Sequence, residues 1–184
     1  MAGMFPEASE NGSPPSCGAG HFRWNVKILE DADRFQVQFK PLPATIKELN
    51  AIPKPAQRYP ANSRIGPWEL QVYQVRARLK AALPEQDGDL HLFLEDPDHP
   101  EEHMIAEIPA PECVHDAVRA EEYRLAREAA RASKLNVVVE VTGVGFFDKV
   151  GSWSIVKAKN GMELHPAFRI RILGGVGNQI RPTI

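Results

Sequence analysis

The sequence predicts an α+β fold that is mostly β: a small closed barrel of five strands with one helix between the third and fourth strands. Apolar and polar residues alternate in five short segments between positions 68 and 173. Helical periodicity appears once, from about His115 to Ser133. Asp-Gly at 87–88 and Asn-Gly at 160–161 mark tight turns. The order β-β-β-α-β-β is that of the five-stranded Greek-key barrel known as the OB fold.

The length of 184 residues fits one domain with extensions. Pro-rich residues 21–67 are too few to bury a core of their own, so we expect an N-terminal arm that packs on the barrel. In this arm Thr45 and Glu48 form a capping-box signal for a short helix that ends before Pro53. The full division is a disordered tail (1–20), the N-terminal arm (21–67), the barrel (68–173) and a flexible C-terminal tail (174–184).

The first three predicted strands each turn one apolar face towards the barrel interior. The inward residues are Tyr73, Val75, Ala77 and Leu79 in the first strand, Leu90, Leu92 and Leu94 in the second, and Met104, Ala106 and Ile108 in the third. The outward residues are Arg76, Arg78 and Lys80, then Asp89, His91, Phe93 and Glu95, then Ile105 and Glu107. Because side chains alternate across a strand, each outward set shares one surface.

The helix and the last two strands complete the barrel. The helix has a narrow apolar stripe (Val118, Leu125, Ala129 and Ala132), which is typical of a plug across one end of a small barrel. The fourth strand, NVVVEVTGVGFF, contains Gly143 and Gly145, which predict a bulge or a tight bend. The fifth strand turns Glu163 and His165 to the face opposite Leu164.

Composition and charge exclude several classes of function. The formal net charge is -2, so the chain as a whole has no bias towards nucleic acid or anionic membranes. No apolar run approaches a membrane span and no signal-peptide pattern is present, so we expect a cytoplasmic protein with no membrane partner. The sequence contains no phosphate-binding loop, dinucleotide fingerprint or nucleophile elbow.

The two cysteines give no chemical signal of their own. Cys17 and Cys113 match neither a disulfide framework nor the spacing of a zinc site. Cys17 falls in the expected disordered tail, so we predict no bridge between the two. Cys113 precedes His115, but one cysteine near one histidine is a weak signal for a nucleophile.

Four motifs, taken together, resemble those of a family of uncharacterised bacterial proteins. The motifs are DGDLHLFLEDP, MIAEIPAPECV, VEVTGVGFFD and NGMELHPAF, and the family carries DGDxH, MIxEIPxPxC, VTGVGFFD and ELHP in the same order. The resemblance spans roughly Trp24 to Ile172 and implies no established activity. The family has a His-Gly-Gln-like stretch in its last loop, where this chain reads KVGSWSIVKAK, so any chemistry of that loop histidine would be missing here.

The outward residues of the second, third and fifth strands predict a metal site. In the OB order these strands are neighbours, so their outward acidic and imidazole side chains should share one surface. Imidazole nitrogen and carboxylate oxygen are ligands of zinc, manganese and iron, and such an ion activates water towards an ester or phosphodiester. We predict His91, Glu163 and His165 as ligands of a divalent metal, and Asp89 and Glu107 as catalytic groups of a hydrolytic or nucleic-acid-processing site.

Two other interpretations of the same surface stay open. Acidic and imidazole side chains on outward strand positions are also ordinary solvated contacts. Alternatively, the protein is a non-enzymatic OB module that binds single-stranded nucleic acid, another phosphate-bearing ligand or a protein partner. The ligand-binding residues would then be the basic and aromatic side chains Arg76, Arg78, Lys80, Phe93 and Trp153.

Overall fold

A computed structural model describes residues 17–18, 21–149 and 158–174. The strands are β1 (Gln38–Ala44), β2 (Gln71–Pro84), β3 (Leu90–Glu95), β4 (His103–Ile108), β5 (Val138–Phe147) and β6 (Met162–Gly174). The α-helices are α1 (Trp24–Lys27), α2 (Ile46–Asn50) and α3 (Ala117–Ala132). None of the helices in these ranges has the length and the apolar run that a membrane crossing requires.

Strands β2 to β6 close into a five-stranded barrel, which confirms the predicted fold class. The sheet order is β1-β2-β3-β4-β6-β5, and β2 pairs with β5 as well, so the barrel has no open edge between them. The long strand β2 makes this closure possible. Its first half, from Val72 to Arg78, pairs with β5, and its second half, from Arg78 to Pro84, pairs with β3.

Apolar side chains from all five barrel strands fill the interior as the alternation predicts. Leu79, Leu92 and Leu164, each from a different strand, have no exposed surface. In β4 both faces are buried, since Ile105 and Glu107 are about as inaccessible as Met104. The polar face expected for β4 is therefore covered by other parts of the chain, which matters for the candidate site below.

Helix α3 packs on the barrel with a different stripe from the one predicted. The buried residues are Tyr123, Ala126 and Ala130. The expected contact residues Val118 and Leu125 are 69% and 51% exposed. Tyr123 is the largest apolar side chain on the helix, and the side that carries it faces the core. Arg127 donates to the carbonyls of Gly88 and Ile108, both at 2.9 Å.

The N-terminal arm lies against the barrel wall. Strand β1 pairs in parallel with β2, and α2 begins with the capping box that the sequence predicts between Thr45 and Glu48. One buried ion pair joins the arm to the barrel, and a second lies within the arm. They join Arg23 to Glu69 and Arg64 to Asp31, in each case with a shortest contact of 2.6 Å. The limits of the arm and of the two tails stay predictions, and most of both tails lies outside the described residues.

Cys17 and Cys113 form a disulfide, so the prediction of no bridge is wrong. Their Cα atoms are 5.2 Å apart although 96 positions separate them in sequence. A turn at Cys17 and Gly18, with Gly18 packed on the ring of Trp24, brings the first cysteine to the short 3-10 helix that contains the second. Disulfides are rare in a reducing cytoplasm, and the cytoplasmic location stays a prediction.

Candidate metal centre

Strand register brings the predicted outward side chains of β3, β4 and β6 together. His91 on β3 pairs directly with Glu107 on β4. On the other side of β4, Ala106 pairs with Leu164 of β6, so the following residues Glu107 and His165 lie next to each other outside the barrel interior. Asp89 immediately precedes β3. The two histidines therefore lie on opposite sides of the same carboxylate, on adjoining strands.

A bulge in β6 turns His165 towards this group. Gly143 of β5 pairs with Ala167, and Gly145 pairs with Leu164, so two residues of β6 lie opposite Val144 alone. The second of these two is Pro166, which has no N–H to donate to the ladder. Bulges redirect side chains, and here the redirected side chain is His165.

Each ring nitrogen of His165 contacts a carboxylate. Nε2 lies 3.2 Å from Oδ2 of Asp89, and Nδ1 lies 3.0 Å from Oε2 of Glu107. The three side chains offer one nitrogen and two oxygens that all lie within 4.8 Å of one another. All three residues are at most 1% exposed.

These contacts have hydrogen-bond distances but not hydrogen-bond directions. Within the described part of the chain, neither oxygen of Asp89 and neither ring nitrogen of His165 has a hydrogen bond of normal geometry. Buried polar atoms nearly always have such a partner, and each one that does not has a cost of about 1–3 kcal/mol. Buried donor atoms that converge without mutual hydrogen bonds are typical of a site that binds a cation.

The N-terminal arm covers the cluster. The ammonium of Lys27, at the end of α1, lies 3.5 Å from Oε2 of Glu107. The ring of Phe146 packs edge-on against His165, with centroids 5.5 Å apart. The sequence predicts an outer surface in contact with water, and for Asp89, Glu107 and His165 that expectation is wrong because the arm lies over them.

The pKa values of the cluster reflect mutual attraction that exceeds the effect of burial. Burial alone lowers the pKa of His165, but the carboxylates of Glu107 and Asp89 raise it to about 9. Burial favours a protonated Glu107, yet His165 and Lys27 hold the pKa of that carboxyl well below its ordinary value. Lys27 is likewise buried, and the surrounding carboxylates, Glu107 first, raise its pKa.

The other two predicted ligands lie at the margin of this group. His91 directs Nε2 to Oε1 of Glu107 at 3.0 Å and is 16% exposed, with Glu85 at 3.7 Å from its other nitrogen. Burial lowers the pKa of His91, but the carboxylates of Glu107, Glu85 and Glu163 together raise it by more. Glu163 is fully buried and contributes to the raised pKa of Lys27. The set that converges is Asp89, Glu107 and His165, so it joins the two predicted catalytic groups to one of the three predicted ligands.

The predicted phosphate-binding residues are not part of the cluster. Arg78 and Lys80 each contact Glu95, at 3.2 and 3.3 Å, and Arg76 contacts Asp98 at 3.3 Å. Glu95 lies four positions beyond His91 on β3, which is about 13 Å along a strand. Phe93 is half-buried at a pair with Ile105. Trp153 lies outside the described residues.

Sequence reasoning missed Lys27, which alternation along the barrel strands cannot reveal because it belongs to the N-terminal arm. The arm contains one signal that could have revealed this residue. Arg23 and Lys27 lie on either side of Val26, in a segment that is otherwise apolar on one side. Cationic side chains that are 4% and 8% exposed need buried anionic partners. The structure supplies Glu69 to one and Glu107 to the other.

No protein-family model matches the sequence, and no curated protein matches it. Among solved structures, similarities include a candidate aspartyl-tRNA synthetase from Leishmania major Friedlin (TM-score 0.47, 12% identity) and the aspartyl-tRNA synthetase of Entamoeba histolytica (0.46, 13%). The alignments cover 76% and 77% of this chain but only 22% and 23% of those chains. An OBody bound to hen egg-white lysozyme aligns with 57% of this chain and 83% of its own (TM-score 0.39, 14% identity).

These similarities carry no argument about function, because the alignments with these three structures are distant in both sequence and shape. The OB topology rests instead on the strand pairing of the chain itself. The resemblance to a bacterial family that the four motifs indicate stays a prediction.

Proposed function

We propose that the protein is a cation-binding OB barrel in which Asp89, Glu107 and His165 hold one divalent ion. The observation that carries the proposal is the convergence of three buried donor groups whose nitrogens and oxygens approach to 3.0–3.2 Å without hydrogen-bond alignment. A cation could bind only one ring nitrogen of His165, so it would lie with that nitrogen and the two carboxylates, and the other ring nitrogen would keep its proton.

The donor set indicates which ions fit. One imidazole and two carboxylates are nitrogen and oxygen ligands without sulfur, a combination that suits Zn²⁺, Mn²⁺ or Fe²⁺. The first ligand immediately precedes β3, and the other two lie on β4 and β6. An ion at this position would therefore link three barrel strands beneath the arm. Lys27 would remain as the counter-charge of Glu107 on the side of the arm.

The hydrolytic reaction expected from the sequence is not the role that this geometry favours. A bound ion of this kind supplies Lewis acidity and lowers the pKa of a water ligand, but substrate must reach it. The three ligands are at most 1% exposed. A stabilising role in the folded protein is therefore the function that we propose, and hydrolysis stays a prediction from the sequence.

Burial also weighs against nucleic-acid binding on this face of β3 and β4. OB barrels bind strands there through exposed basic and aromatic side chains. Here Asp89 and Glu107 lie on that face beneath the arm, and the nearby basic residues are engaged with Glu95 and Asp98. No observation on this surface favours the alternative function.

Metal content and thermal stability together test the proposal. Purified protein should retain about one Zn²⁺ or Mn²⁺ per chain after dialysis, as measured by mass spectrometry of the dissolved metal. At a free metal concentration of about 100 times the dissociation constant, the ion adds roughly 2.7 kcal/mol to the free energy of unfolding. For a chain of this length the melting temperature should then rise by about 5–10 °C over the EDTA-treated protein.

The variant Asp89→Asn keeps the shape of the side chain and should remove both metal retention and the thermal shift. His115→Gln is the matched control, because His115 also contacts a carboxylate but is 91% exposed. It should behave as wild type. If wild-type protein retains no divalent metal and gains no stability from any of Zn²⁺, Mn²⁺ or Fe²⁺, the proposal is wrong.

A further inference from the structure

A second site lies where the N-terminal arm meets the end of β5. A pocket of about 430 Å³ is lined by Phe22, Arg23, Arg58, Tyr59, Ala61 and Lys149. Sites for small molecules commonly have volumes of about 300–1,000 Å³. The pocket is separate from the buried cluster, because the ring of Phe146 lies between them. Phe146 packs 6.5 Å from Phe22 on one side and 5.5 Å from His165 on the other.

Two aromatic rings form part of the pocket lining. The centroids of Phe22 and Tyr59 are 6.0 Å apart and their planes are tilted by 45°, so the rings present an angled apolar surface. Both side chains are half-buried, which leaves part of each ring open to a ligand. The ammonium of Lys149 lies 4.4 Å from the Phe22 centroid, in position for a cation–π contact.

The cationic side chains of the pocket differ in whether they are already bonded to other groups of the fold. Arg23 donates to Glu69, to Ser63 and to the carbonyls of Pro60 and Phe147, so its guanidinium is used within the fold. Arg58 and Lys149, by contrast, form no ion pair with a carboxylate among the described residues. Both are exposed.

Two carboxylates near the pocket limit its positive charge. Glu69 is neutralised by Arg23 in a bidentate pair with contacts of 2.6 and 2.7 Å. Asp148 precedes Lys149 in the chain. Burial raises the pKa of the Tyr59 phenol, and the charges of Glu69 and Asp148 raise it further, so Tyr59 stays a neutral hydrogen-bond donor in the physiological range. The local balance is therefore modestly positive, which suits one phosphate group rather than a long polyanion.

We infer that this pocket binds a nucleotide, with the base against Phe22 and Tyr59 and the phosphate between Arg58 and Lys149. Aromatic rings stack with a base of any sequence, and a guanidinium matches the oxygens of a phosphate with two parallel hydrogen bonds. A nucleoside, which has the ring but no phosphate, would lack the charged contacts. Inorganic phosphate would lack the stacking contacts. The same chemistry occurs in a free mononucleotide and in one nucleotide of a single strand.

Calorimetric titration of the full chain at low salt tests the inference. Adenosine monophosphate should bind, whereas adenosine and inorganic phosphate should each bind at least about 10-fold more weakly. Arg58→Ala and Lys149→Ala should each weaken the binding of adenosine monophosphate by about 10-fold or more, since hydrogen bonds to charged groups are stronger than those between neutral groups. Both residues are exposed, so the variants should fold, and circular dichroism checks that they do.

Arg131→Ala is the matched control. It removes the same charge from an exposed position on α3, a helix that does not line the pocket, and should leave binding unchanged. A short single-stranded oligonucleotide distinguishes the two sources: tighter binding than the mononucleotide, with competition between them, identifies a strand, and equal or weaker binding identifies a free nucleotide. The inference is overturned if neither ligand binds, if inorganic phosphate binds as tightly as the nucleotide, or if Arg58→Ala binds as wild type.

Discussion

His165 has a carboxylate at each ring nitrogen and no exposure to solvent. In the metal-free protein this environment favours the imidazolium form, because the charges of Asp89 and Glu107 outweigh the penalty of burial. A buried imidazolium between two carboxylates stabilises the fold only as long as it keeps its proton. The same position can exchange that proton for a metal ion, as the proposed function requires.

The stability of the metal-free protein should therefore decrease as the solution becomes alkaline. The pKa of His165 is about 9 in the folded protein, compared with 6.5 for an ordinary histidine. The contribution of its proton to the free energy of unfolding is therefore complete below pH 6.5 and is lost as pH rises through 9. The loss from this group is at most about 3 kcal/mol. Urea unfolding in EDTA at pH 6, 7.5 and 9.5 measures it.

The variant His165→Gln has no titratable proton at this position. The midpoint of its urea unfolding should therefore depend less on pH over the same range. His91 also has a raised pKa and contributes in the same direction, which leaves a smaller residual slope in the variant. A wild-type midpoint that is constant from pH 6 to 9.5 would contradict the assignment of a buried imidazolium.

At the scale of single elements, the paired bends of β5 and β6 determine where the site lies. Gly143 and Gly145 sit at the register shifts between the two strands. A side chain at either position would collide with the neighbouring chain: a Cβ at Gly143 would lie 2.9 Å from the Cα of Ala167. The close approach of the backbones is what lets the bulge around His165 form.

Gly145→Ala should destabilise the protein, because its Cβ would lie 2.8 Å from both Tyr73 and Met162, beside the carbonyl of Trp68. Overpacking of this kind has a typical cost of about 1–3 kcal/mol. Gly66→Ala is the matched control, since its nearest contact would be Leu70 at an ordinary 3.5 Å. Chemical denaturation of the two variants compares them, and equal midpoints would show that the strands move apart without cost.

At the scale of the whole molecule, the N-terminal arm converts an open barrel face into an enclosed one. Strand β1 extends the sheet, Lys27 reaches Glu107, and the buried pair of Arg23 with Glu69 holds the arm to the barrel, while Arg64 and Asp31 form a buried pair within the arm. The disulfide closes the arrangement, because Cys17 precedes the arm and Cys113 precedes α3.

Reduction of the disulfide should lower stability substantially. A bridge that closes a loop of 96 positions restricts the unfolded chain, and the chain-entropy model assigns such a loop about 4–5 kcal/mol. For a chain of this size the melting temperature should fall by about 8–20 °C when a reductant is added. The double variant Cys17→Ser, Cys113→Ser should already melt at the lower temperature and show no effect of reductant.

An unchanged melting temperature in wild-type protein, with the reduced state verified by mass spectrometry, would contradict this expectation. Such a result would mean that contacts of the arm hold it on the barrel without the covalent link.

The sequence by itself determined the barrel and the order of its strands. Strict alternation in β2, β3 and the first half of β6, the Asp-Gly turn and the single helical segment specify the OB order, because each is a local pattern with one compatible period. The same alternation placed His91, Glu107 and His165 on one face, whereas the pairing of His91 with Glu107 and of Ala106 with Leu164 is a register that only the structure shows.

Only the tertiary structure decided what covers that face and which atoms meet there. The burial of Asp89 and Glu107, the approach of Lys27 and the contact of Cys17 with Cys113 all join residues that are far apart in sequence. Local periodicity reports which side of a strand a residue occupies, but not whether water or another segment lies beyond it. Long-range packing of the arm placed a chain segment rather than water on this face, so a predicted outer surface is a buried site.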